Sequence, residues 1–337
     1  MGGGWVMKRL FTMIFIFLFL LPASGLAHVK WFTETEAERA PIDTIISPLF
    51  VTFAFLSAAL LSFLPLAMKK LHAHKPSIKW ESRVARFRPY TFFILQYGTV
   101  ATLLIQIFEG SLFAPELLEL QGIWLWAVWI VILLLSIPMR ITVRAGAALL
   151  LILFGVSVFE HSWLHMLDYV FYLGIIFMFF FYRTRMNIWT FPFLYLTTGF
   201  SLCWVAVEKW VYPNMSANVL INHDIFTFGF APGTFAMMLG YVEFIIGYLL
   251  IVGLLNRMLA LVLTLIFFST ALLFGWIELI GHFPIHVILL TFIIEGVSFH
   301  KPPVQFHERT WQQTIFISFN FIFALSFILL AYYRLAS

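Results

Sequence analysis

The chain has 337 residues, of which 62% are apolar and only 11% charged, with 41 phenylalanines. A water-soluble domain of that composition would lack polar cover, so the sequence describes an integral membrane protein whose surroundings are the lipid bilayer. The formal charge of +4 comes from basic residues in short links between apolar spans rather than on one face, which excludes nucleic acid as a partner, and the single cysteine, Cys203, excludes a disulfide framework or a CxxC redox pair within one chain.

Lys8 and Arg9 precede the apolar run LFTMIFIFLFLLP, and the small residues ASGLA follow it. This pattern predicts a signal peptide over residues 1–27, cleaved after Ala27 to leave His28 at the mature N-terminus; the alternative is an uncleaved first helix. Residues 28–90 then hold a polar external arm, a first span near 48–68, and a loop with seven Lys and Arg between Lys69 and Arg88. The positive-inside rule places that loop in the cytoplasm.

Further spans are predicted near 91–108, 123–138, 145–160, 167–182, 189–208, 236–255, 258–280, 285–298 and 314–333. The fold class is therefore all-α, a polytopic membrane bundle of about ten transmembrane helices once the signal peptide is removed. Arg140, Arg144, Arg183, Arg185, Arg257, Lys301 and Arg309 fall on alternate links. Their alternation puts both mature termini outside, in the setting of a bacterial inner membrane.

Arg140 and His165 bracket one apolar stretch, Arg257 and His282 another, and both pairs of positions stand 117 residues apart. That spacing predicts a tandem duplication of a four-helix unit, the first at 91–187 and the second at 188–300, with a cytoplasmic link and last helix at 301–337. Helices rich in Leu, Ile and Phe also resemble one another by chance.

Acids and histidines gather at the outer ends of the spans. His161, His165 and Asp168 stand at i, i+4 and i+7, one helical face if the helix continues that far. Glu278, His282 and His286 repeat the four-residue step, with Pro284 expected to bend or end the helix between the last two. These six, with His28, are candidate ligands for a copper or zinc ion; the alternative is that they decorate wetted helix ends.

Glu243 lies inside an apolar span, where an ionised carboxylate needs a partner or a proton. Lys209, which with Glu208 ends the preceding span, is the natural partner. Glu243, Lys209 and Glu208 are candidates for a proton site or a quinone-headgroup site, against a structural hydrogen bond between helices. Glu295, nearer the cytoplasmic edge, reads as a wetted helix end.

From about residue 191 to 298 the chain resembles the DoxX-like family of four-helix membrane proteins. The resemblance rests on FPFLYLTTGFSLCWVAVEKW, on GYVEFIIGYLLIVGLLNRMLAL and on the helix pair that follows. Residues 91–182 would be a degenerate copy, with Trp126 at the place of Glu243 and Glu109 near that of Lys209. The resemblance implies an accessory role in a quinone-linked membrane oxidoreductase system, such as that of the small subunits of a thiosulfate:quinone oxidoreductase, alongside other subunits and without a cofactor of its own. Two readings stand beside it: a metal-handling or transport protein that uses the external His/Glu cluster, and a structural membrane partner without a site.

Overall fold

The structure is a computed structural model that describes residues 29–33, 35–66, 82–117, 122–296 and 309–336. The expected signal peptide, His28, most of the basic loop and the link around Lys301 lie outside the described residues. Among those described there is no β-strand. The helices are α1 (Pro48–Ser62), α2 (Thr91–Glu109), α3 (Ile123–Ser136), α4 (Arg140–His161), α5 (Phe171–Phe181), α6 (Thr190–Val211), α7 (Pro213–Asn222), α8 (Pro232–Val252), α9 (Asn256–Phe274), α10 (Trp276–Glu295) and α11 (Thr310–Leu335).

Eight described helices are long and apolar enough to cross a membrane, and the count becomes nine if a pair bent by 67°, Trp163–Tyr169 with α5, forms one broken span. The segment expected to span near 123–138 is a helix of 14 residues, about 21 Å long and shorter than a ~30 Å hydrocarbon layer.

Local chemistry sets the helix ends. Ser47 accepts a hydrogen bond from Phe50 N at the start of α1, with Pro48 in the first turn. Gly110 and Gly253 adopt left-handed φ at the ends of α2 and α8. Three arginines donate to the last carbonyls of helices that have no intrahelical partner: Arg144 Nε to Phe180 O at 3.0 Å, Arg257 Nε to Ile293 O at 2.7 Å, and Arg88 to Glu295 O at 2.6 and 3.0 Å. Glu295 is buried beneath this roof, not wetted.

Consecutive packing of α2, α3, α4, α5, α6, α8, α9 and α10 closes a ring, because α10 also packs against α2; α1 and α11 pair outside it against α8 and α6. The tightest approach is between α6 and α8. A Cβ at Gly199 would lie 2.5 Å from Gly247 O, and one at Gly247 would lie 2.6 Å from Gly199 O, so only hydrogen fits at either position. This contact brings together the two helices that carry Lys209 and Glu243.

Two breaks differ from the expected pattern. Ser162, at φ 76°, ends α4, so His161 does not share a helical face with His165 and Asp168. The helix α10, in contrast, continues through Pro284, since a bundle interior accommodates the carbonyl that proline leaves free. Glu278, His282 and His286 therefore stay on one helix.

Candidate functional site

Lys209 sits in the last turn of α6 and Glu243 just past the middle of α8. The ammonium lies 2.5 Å from Glu243 Oε2, and the two side chains are 2% and 3% exposed. At that burial neither charge has water to fall back on, so the pair stands or falls together. Glu208 precedes Lys209 but is turned about 100° around the helix axis. Its partner is a residue that the sequence did not single out.

That residue is Lys30. It donates to Asp168 Oδ2 at 2.8 Å and its ammonium lies 3.0 Å from Glu208 Oε1, with both carboxylates buried. Burial opposes its charge, but the Asp168 and Glu208 carboxylates and their hydrogen bonds outweigh that and raise its pKa well above the usual lysine range. A lysine in an arm that carries four acids, Glu34, Glu36, Glu38 and Asp43, was the available signal.

The rest of the arm is seated with it. The indole of Trp31 packs on His282 with ring centroids 5.0 Å apart, while Phe267 stacks on His282 at 4.4 Å. The indole also fills the space beside Gly281, where a Cβ would lie 1.8 Å from it. Phe32 stacks on Phe274 at 4.6 Å, Thr33 donates to Asn218 of α7 at 3.1 Å, and Ala40 N donates to Val211 O at 2.9 Å. The arm and the segment around α7 together cover the end of the bundle where α6 terminates.

Residues 206–276 match the DoxX family model. This DoxX segment runs from the last turns of α6 through α9 and holds Glu208, Lys209 and Glu243. It is narrower than the 191–298 read from the sequence, and includes neither His282 nor any of residues 91–187. No curated protein and no solved structure matches the chain.

Across from the DoxX segment's ion pair lies a cavity of about 20 Å³, lined by Asp168, Thr198, Ser201, Glu243, Phe267 and His282 among others. That is room for one water and not for a quinone ring. One carboxylate from each lysine-held cluster, Asp168 and Glu243, faces this space. The arrangement suits transfer of a proton between groups of fixed position.

The residues expected to bind metal are dispersed. His165 Nε2 lies 3.3 Å from Glu116 Oε1, which also accepts from Tyr169 OH, and the rings of His161 and His165 stand 6.4 Å apart. Asp168 is engaged by Lys30. His282 is enclosed between aromatic rings, its Nδ1 3.1 Å from Glu278 Oε1 but not aligned to hydrogen-bond, and His286 packs edge-on against Phe267. Among the described residues no three His, Cys, Asp or Glu side chains form a group that could hold a metal ion.

Proposed function

We propose that the chain is an accessory subunit of a quinone-linked oxidoreductase system in a bacterial inner membrane, and that its part is to pass protons at the outer end of the bundle. The observation that carries this reading is the pairing of two buried lysine–carboxylate clusters, Lys209 with Glu243 and Lys30 with Asp168 and Glu208, on a shared water-sized cavity. A carboxylate so placed is held by one cation, and loss or gain of a proton changes the charge of the whole cluster. The DoxX segment supports the redox setting through the resemblance. Quinone chemistry itself belongs to the lipid-facing surface or to a partner subunit, since the cavity is too small for the ring.

The same reading includes the topology with both mature termini outside and a tandem origin of the two units. Arg144 and Arg257 make the same cap on the carbonyl 36 residues ahead, and Ser162 and Gly275 make the same φ 76° break. Both pairs stand 113 residues apart, which favours Arg144 over Arg140 as the counterpart of Arg257. In that register Tyr169 corresponds to His282 and His165 to Glu278.

The test is reduction of a soluble quinone analogue by cell membranes supplied with a panel of reductants, thiosulfate among them, with external pH recorded. Glu243→Gln keeps the side-chain shape and is expected to lower the protons released per electron while quinone reduction persists. An unchanged ratio in Glu243→Gln, or unchanged quinone reduction when the chain is deleted, contradicts the proposal.

A further inference from the structure

We propose that the cavity between Asp168 and Glu243 is a binding site for one dehydrated monovalent cation of sodium size, with Asp168 Oδ1 and the hydroxyls of Thr198 and Ser201 as ligands. The proposal does not depend on the quinone-linked reading.

The first argument is the state of the oxygens that line the space. Thr99, Thr102, Thr197, Thr270 and Thr291 each donate their hydroxyl to a helix carbonyl three or four residues back, the usual way to satisfy threonine in an apolar helix. Thr198 does not: its Oγ1 is buried with no hydrogen-bond partner, and so is Asp168 Oδ1. Both residues are 2% exposed and line the cavity. A third oxygen, Ser201 Oγ, accepts from Phe171 N at 3.3 Å and keeps a free lone pair. Buried oxygens left without partners cost about 1–3 kcal/mol each, so their convergence on one space points to an occupant.

The second argument is charge. Asp168, Glu208, Glu243 and Glu278 are all buried in this region. Against them stand Lys30 and Lys209, and His282 if it carries a proton opposite Glu278. Among the described residues in these pairs, one negative charge is then still without a cation. An uncompensated charge in the apolar layer costs several kcal/mol, which a bound cation or a proton removes.

Size and donor type select among cations. The room is that of a single water, whereas magnesium keeps several of its own waters and calcium needs six to eight oxygens. Copper and zinc favour nitrogen and sulfur donors, and the orphaned atoms here are oxygens.

The experiment is thermal unfolding of the full chain, purified in detergent, in sodium, potassium or choline chloride at equal ionic strength. Sodium is expected to raise the midpoint in a saturable way relative to choline, as a ligand of the folded state does. Thr198→Val preserves shape and removes one ligand oxygen without touching either lysine, and is expected to weaken the apparent sodium affinity at least tenfold. Asp168→Asn should weaken it further, although the loss of a Lys30 partner also loosens the arm, so the threonine variant decides. Equal midpoints in sodium and choline, or a sodium effect of unchanged apparent affinity in Thr198→Val, overturn the proposal and leave the cavity to water. Quinone reduction in membranes, read separately, is unaffected by that outcome.

Discussion

Lys209→Met is expected to lower the unfolding free energy by about 3–5 kcal/mol, because it strands the Glu243 carboxylate in a site that is 3% exposed. The same carboxylate would then face Asp168 across the cavity without its counter-charge. The double variant Lys209→Met, Glu243→Met removes both charges and fills the volume, and should recover most of the loss, since buried ion pairs often add little over well-packed apolar residues. Unfolding of the purified protein in graded denaturing detergent measures both. A single-variant loss below about 1 kcal/mol would show that Glu243 does not depend on Lys209 for its charge.

Lys30→Met is expected to release the arm from the bundle. Asp168 and Glu208 would be left facing one another with no cation between them, and like charges that close repel. Gly281→Val should do the same from the other side, because its side chain would occupy the seat of the Trp31 indole. Cys203 is buried and is the chain's single cysteine, so a Thr35→Cys reporter reads the arm alone. Maleimide labelling at that position should accelerate at least tenfold in either variant. Because the Lys30 pKa is raised, its contribution is fully present below the unfolded lysine value of about 10.4 and is lost only as pH rises through the higher folded value. Labelling of the Thr35→Cys reporter with Lys30 and Gly281 intact should therefore stay slow and flat between about pH 6 and 9 once corrected for thiol ionisation. Fast labelling of the unaltered arm would contradict the lock.

The membrane bundle was legible because composition alone forbids a soluble surface, and the Lys209–Glu243 contact because a carboxylate deep in an apolar span needs a partner from a neighbouring helix end. Lys30 was not legible. Its role comes from an arm folding back onto α6 and the turn before α5, a contact between positions 138 and 178 residues apart that no local pattern encodes. Ser162 broke a helix without the glycine or proline that usually announces a left-handed turn, and this separated His161 from its expected face. Pro284 misled in the opposite sense, since the rule for water-exposed helices weakens inside a packed apolar bundle. The HxxxH spacing was real, but a metal site needs several elements to converge, and Trp31 and Phe267 enclose His282 instead.

The central claim is that Glu243 exchanges a proton within the network it shares with Lys209 and Asp168, and infrared difference spectroscopy of the membrane-embedded protein during a pH jump addresses it directly. The account predicts a carboxylic C=O band that appears on acidification, is absent in Glu243→Gln and persists in Glu278→Gln. A spectrum without such a band, or one whose band is unchanged in Glu243→Gln, would contradict it.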